Sequence, residues 1–192
     1  MLRARGYTKR GTVSDSFFSH IDVVPTICEL AGLVAPEWAQ GTSLVPVLKT
    51  PEVEIRDRLF AEVSFHAAYE PARCVRTKRF KYIRNYDSGA ENRLPANCDD
   101  SPSKDVVLEA GLFEQPRPKE ELYDLLLDPA EKNNLADHTD FQSVKQDLTE
   151  QLGTWMMETD DPLQPGWIPP PKGARLNRPD CLSPTEKRYV ET

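Results

Sequence analysis

The chain has 192 residues, of which 39% are hydrophobic and 29% charged, with 17 prolines and a formal net charge of −7. That length suits one medium domain or a little more, and an apolar share below the ~45–50% usual for globular chains allows only a modest core with many loops. The acidic balance excludes the broad basic footprint of a nucleic-acid protein, and no run of ~18 apolar residues offers a membrane span. The basic start, MLRARGYTKRG, has no apolar stretch behind it and does not read as a secretory signal. Cys28, Cys74, Cys98 and Cys181 lie far apart with no CxxC pair or Cys/His cluster, so free thiols are expected and a zinc site is not.

Residues 12–21, TVSDSFFSHI, offer a short strand carried by Phe17, Phe18 and Ile21. The following DVVPTICELAG predicts a short helix. Asp22 can cap its start, and Pro25 falls in the first turn, where its missing N–H costs little. Val24, Ile27, Cys28 and Ala31 form one apolar stripe, and Gly32 supplies a left-handed stop. One strand and one short helix have nothing around them to bury their apolar faces, so the chain reads as beginning inside a domain. Pro36, Trp38, Gly41, Pro46 and Pro51 then punctuate a loop-like stretch with room for one helical turn at 43–48.

Residues 59–65 alternate, with Leu59, Ala61, Val63 and Phe65 on one side and Phe60, Glu62 and Ser64 on the other, continued by His66. Two more strands are expected over 74–77 and 80–85, joined at Lys78-Arg79. That pair suits a two-residue primed turn poorly, so a longer turn is expected. Residues 87–119 show no sustained period and break at Gly89, Pro95, Pro102, Gly111, Pro116 and Pro118. An excursion of ~30 residues without structure is usually functional or disordered. ELYDLLL at 121–127 is a fourth strand candidate ended by Asp128-Pro129. A long helix is expected over 139–159, with Thr139 and Gln142 fitting a capping box and Phe141, Val144, Leu148, Leu152, Trp155 and Met156 forming its buried stripe. Beyond residue 162 the chain is a proline-rich arm, either packed on the surface or disordered. These elements predict an α+β fold, in which a small antiparallel sheet of about four strands carries one long helix across it.

The stretch from Arg58 to Tyr86 gathers Arg73, Arg76, Lys78, Arg79, Lys81 and Arg84 with no acid between Arg73 and Arg84. In an acidic chain, such a local patch marks an anionic ligand, an acidic partner surface or a solvated hairpin.

Four phrases in order resemble the sulfatase family. VSDSFFSHIDVVPTICELAG is similar to the strand and Asp-x-x-Pro-Thr helix that close the family's large α/β domain, and QGTSLVPVL to its Gln-Gly-x-Ser-Leu-x-Pro-x-Leu loop. RTKRFKYI resembles its Arg-Thr-x-x-Tyr-Lys-Tyr-Ile strand pair, and ELYDLLLDPAEKNNLA its Glu-Leu-Tyr-Asp-Leu…Asp-Pro-x-Glu-x-x-Asn-Leu signature. FAEVSFHAAYEPARCVRTKRF, NCDDSPSK and WMMETDDPL resemble more narrowly the N-sulfoglucosamine sulfohydrolase branch and its bacterial relatives. The resemblance implies that residues 1–50 are the last piece of an α/β catalytic domain, 51–162 a C-terminal subdomain and 163–192 an arm. It also implies hydrolysis of sulfate esters or N-sulfate groups, with a sulfated sugar as partner. The formylglycine and calcium of an intact family member are expected on an N-terminal catalytic domain missing from this chain. None of the four cysteines sits in the required Cys-x-Pro-x-Arg setting, so this chain is expected to bind no cofactor or metal and to be inactive alone. The alternative is a non-catalytic remnant or an anionic-glycan-binding module.

No catalytic residue is assigned. Ser14, His20 and Asp22 lack a nucleophile elbow, and the adjacent Asp99 and Asp100 diverge too much to share a metal. His66 is the foremost candidate for substrate binding, as a wall of the intact pocket, against the plainer reading of a histidine bonded at a strand end. Glu62, Tyr69 and Glu70 share that role more weakly. Arg73 and Arg76 could hold sulfate or carboxylate groups through paired N–H donors, or could pair with acids of the missing domain. Lys78, Arg79 and Lys81 read as an exposed turn.

Overall fold

The computed structural model describes residues 4–7, 11–87 and 89–190. The chain divides into two compact units, Met1–Leu59 and Phe60–Thr192.

In the first unit, a 3-10 turn at His20–Asp22 runs into helix α1, Val23–Leu30. Pro25 lies in its first turn, and Gly32, with φ +70°, ends it. The Leu33 N–H reaches the Cys28 carbonyl (2.8 Å) and the Gly32 N–H that of Glu29 (3.1 Å). This is the pair of bonds that a left-handed residue after a helix makes possible. Asp22 does not cap α1 through its side chain. Its fully buried carboxylate instead accepts the Ser19 N–H (2.6 Å), the Thr42 N–H (2.8 Å) and two bonds from Arg56 (2.5 and 2.6 Å). The Thr26 hydroxyl donates to the Asp22 carbonyl (2.5 Å) and accepts the Leu44 N–H (2.9 Å), tying α1 to α2, Val45–Lys49. Gly41 is needed for space, since a Cβ there would lie 2.1 Å from the Ile21 carbonyl oxygen. The strand expected at 12–21 does not form, and residues 12–19 carry no regular element. A strand exists only by pairing, and none of the sheet's four strands comes from this segment.

The second unit holds an antiparallel sheet in the order β1-β2-β3-β4. Its strands are β1 (Arg58–Phe65, which starts at the boundary), β2 (Tyr69–Thr77), β3 (Phe80–Asn85) and β4 (Glu120–Asp124). Val75 pairs with Tyr82 and Tyr82 with Leu122, so three residues form one row across the sheet. All three are fully buried, in one core with Leu148, Leu152 and Met156 of helix α4, Gln142–Glu158. Trp155 of α4 lies flat on Phe60 of β1, with centroids 5.0 Å apart and planes at 4°.

Several boundaries differ from expectation for identifiable reasons. β2 begins at Tyr69 rather than Cys74, passing through Pro71. The β2–β3 turn is only Lys78-Arg79. Thr77 closes it, its Oγ1 accepting the Phe80 N–H (2.9 Å) and donating to the Phe80 carbonyl (3.2 Å), and no residue there needs a positive φ. β4 stops at Asp124. Its outer edge is covered by Asn134, whose side chain accepts the Leu122 N–H (2.9 Å) and donates to the Glu120 carbonyl (3.0 Å), and by the Leu135 N–H on the Leu122 carbonyl (2.8 Å). An edge paired in this way no longer invites another chain. Residues 139–141 form a 3-10 turn ahead of α4, and the Gln142 side chain donates to the Ala136 and His138 carbonyls instead of completing a capping box. The 87–119 excursion contains helix α3, Pro102–Glu109, capped by the Ser101 hydroxyl on the Lys104 N–H (3.2 Å). The arm is packed: Leu163, Leu176 and Cys181 are buried, and Asn177 bridges to Tyr189. All four cysteines are free thiols.

Candidate functional site

Residues 66–68 join β1 to β2 and form an exposed tip with a buried root, since His66 is exposed and Ala68 buried. The His66 N–H closes the turn on the Ala68 carbonyl (3.3 Å). Three distant segments fasten it. The Asn97 carboxamide oxygen accepts the Ala67 and Ala68 N–H groups (3.0 and 2.7 Å), and its amide donates to Glu70 (2.8 Å). The Asn177 N–H reaches the Ala67 carbonyl (2.7 Å). The Tyr69 hydroxyl accepts the Ile168 N–H (3.3 Å), while its ring packs on Phe65 (5.1 Å) and Trp167 (6.4 Å, 63°). Glu70 also lies 3.6 Å from Arg117, so this carboxylate is structural and not available to a ligand.

Arg73 sits beneath the hairpin, 1% exposed, facing Asp161, also 1% exposed. Its Nε and Nη2 hold the carboxylate at 2.6 and 2.9 Å, Nη1 donates to the Val63 and Ala72 carbonyls, and Nη2 also reaches the Ser64 hydroxyl (3.2 Å). All five guanidinium donors are thereby matched within this chain. Glu62 stands 3.6 Å from Arg73 Nε with its own side chain mostly in solvent. Burial pushes the Asp161 carboxyl upward, but the Arg73 hydrogen bonds and the Leu163 N–H outweigh it and hold Asp161 below its ordinary value. Glu121 behaves alike: burial opposes, yet bonds from Tyr123, Asn85 and Arg93 keep its carboxyl low.

The structure brings His66 and Tyr69 to one end of the hairpin, leaves Glu62 beside Arg73 farther down β1, and places Arg76 elsewhere. Arg76 lies seven residues from Tyr69 along β2, ~23 Å at the usual strand rise, and three from Arg73, hence on the opposite face. Much of the basic stretch is neutralised by acids supplied from 120–161. Arg79 binds Asp124 (2.8 Å), Lys81 binds Glu131 (2.7 Å), and Arg73 binds Asp161. A cleft of about 390 Å³ is lined by residues 90–95 and 179–182 with Leu108, Phe113 and Glu114; of its charged residues, Arg93 is bound to Glu121 and Asp180 to Arg188.

Asn97, Asp161 and Trp167 organise the tip, and the sequence reading assigned none of them to it. Trp167 carried the clearest signal, as a large aromatic in a proline-rich stretch without periodicity. Among the described residues, no group of three or more His, Cys, Asp or Glu is placed to hold a metal. The acids beside the tip, Glu62 and Glu70, already face Arg73, Asn97 and Arg117. These residues do not fit a calcium site. What the tip can do is present aromatic faces and an imidazole to a polar ligand.

An open four-stranded antiparallel sheet crossed by a helix, with this ordered set of motifs, defines the C-terminal portion of a sulfatase. Residues 1–107 match the sequence model of the family described as N-sulphoglucosamine sulphohydrolase, C-terminal, and the chain belongs to that family. It is 33% identical over 188 residues to an ulvan-active sulfatase of Formosa agariphila, covering 93% of this chain and 37% of that one. It is 27% identical over 196 residues to human N-sulphoglucosamine sulphohydrolase, covering 89% and 38%. The chain thus spans well under half the length of these relatives. A solved protein in complex with its substrate D-glucosamine-2-N,6-O-disulfate superposes with a TM-score of 0.60 at 22% identity, over 82% of this chain and 28% of that one. A phosphonate monoester hydrolase from Silicibacter pomeroyi gives 0.56 at 20%, over 84% and 29%. Both show the fold alone.

Proposed function

We propose that this chain supplies pocket walls to an enzyme that hydrolyses sulfate esters or N-sulfate groups of sugars, and that it turns nothing over by itself. The observation that carries this reading is the alignment: a match along 93% of the chain corresponds to only 37% of an active relative. Sulfuryl hydrolysis needs a nucleophile, a divalent cation and a proton donor for the leaving group. In this reading an N-terminal catalytic domain holds the formylglycine and the calcium. The hairpin tip contributes His66 and Tyr69 to the rim, with Glu62 farther down β1 beside Arg73. Arg73 acts from beneath by fixing the strand, and Arg76, farther along β2, is a candidate contact for an anionic group. The exposed apolar face of α1 supports the same view. Ile27 is 59% exposed, with Ile21 and Val23 beside it, as befits a surface that a larger domain covers.

The purified chain is assayed with an aryl sulfate and with N-sulfoglucosamine, with and without calcium. No turnover is expected; calcium-dependent turnover by this chain would overturn the proposal.

A further inference from the structure

We infer that Trp167 is the platform on which a sugar ring of the sulfated ligand stacks. The inference rests on the reading above and deepens it by naming the contact for the sugar as distinct from the sulfate.

Two tryptophans of the second unit are placed in contrasting ways. Trp155 lies parallel to Phe60 and is spent on the sheet–helix core. Trp167 meets Tyr69 at 63° and leaves 56% of its surface in water. Its position is nevertheless fixed. The next residue, Ile168, donates its N–H to the Tyr69 hydroxyl and packs against the core cluster, and Tyr69 leans on Phe65. The neighbouring tip is fastened by Asn97 and Asn177. A large aromatic side chain on a rigid mount gives broad amphipathic contact at low entropic cost. Its flat apolar face suits the C–H face of a pyranose, whose hydroxyls and sulfate remain at the rim. His66, exposed on the turn next to Tyr69, stands at that rim, able to meet an anion. A rigid scaffold holding an exposed loop with no core duty is the usual arrangement of a binding site.

The test is calorimetric titration of the full chain with a heparin-derived N-sulfated tetrasaccharide and with its N-desulfated counterpart. Trp167→Ala, Trp167→Phe and, as control, the exposed Trp38→Ala of the first unit are compared with the parent. Trp167→Ala is expected to weaken binding of the sulfated sugar about tenfold, the scale of one aromatic contact. Trp167→Phe recovers most of the loss, Trp38→Ala changes nothing, and all three keep the parent's denaturation midpoint. Unchanged affinity in Trp167→Ala, or no saccharide binding by the parent, overturns the inference. If the parent prefers the sulfated sugar and Trp167→Ala does not matter, the pocket-wall reading survives and the platform falls. If Trp167→Ala weakens both sugars alike and the parent shows no preference for sulfate, the platform stands and the sulfatase reading of this surface falls.

Discussion

Arg73 and Asp161 are 88 positions apart and meet fully out of water. Removing one partner of such a pair strands the other charge, so Asp161→Asn is expected to cost ~3–5 kcal/mol in urea denaturation. Replacing both partners with apolar side chains of similar volume should cost much less. The pH dependence has a fixed sign. The folded Asp161 carboxyl titrates below the ordinary 3.8, so its contribution is fully present above the unfolded value and is lost as pH falls through the folded one. Parent stability should therefore decline below about pH 4, and Asp161→Asn should flatten that part of the curve. Asp22, also held low against burial by Arg56, Ser19 and Thr42, contributes in the same direction. The Arg73 result was not legible in the sequence. The expected strand began only at Cys74 and left Arg73 grouped with Arg76, whereas β2 starts at Tyr69 and puts Pro71, Arg73 and Val75 on one buried face, apart from Arg76. Nothing local marks Asp161 among the paired acids after α4 as the one that turns inward.

At the scale of elements, legibility followed locality. α1, α4 and β1 announce themselves by period and by Pro or Gly punctuation, and all three form. The 12–21 strand failed because pairing is a property of two segments. α3 was missed because its apolar stripe is weak, although Ser101-Pro102 is a good start signal. The Lys78-Arg79 turn was misjudged because a neighbouring hydroxyl does what a glycine would otherwise do. The motif around Gly41 gains a physical meaning, since the loop passes against the Ile21 carbonyl where no side chain fits. Gly41→Ala should destabilise the first unit by ~1–3 kcal/mol through forced backbone displacement. Thermal denaturation followed by the Trp38 signal of that unit reads it.

For the whole molecule, the exposed apolar residues on and around α1 have a consequence for the chain in solution. Ile21, Val23 and Ile27 are joined by Phe18, Leu33 and Val34, all exposed. A patch of this kind favours association, so light scattering should show oligomers at micromolar concentration. Ile27→Glu should shift them toward monomer; a clean parent monomer would contradict the expectation. Among the described residues, no helix is long and apolar enough to cross a membrane. The family was legible from ordered motifs spread over the chain. The hairpin tip was only partly so: the strand leading to His66 was recognisable, Tyr69 fell outside the expected strands, and Asn97, Trp167 and Asn177 reach the tip from segments without period.

The fastening of the tip also sets an order of events during synthesis. β1, β2 and β3 are neighbours in sequence and can pair as soon as they emerge. The Tyr69 hydroxyl waits for Ile168, 99 residues later, and Ala67 waits longer still for Asn177. At translation rates of ~5–20 residues per second that interval is ~5–20 s. Throughout it the nascent hairpin exists with its turn unfastened, and a ribosome stalled before codon 168 would display the sheet without a finished hairpin tip.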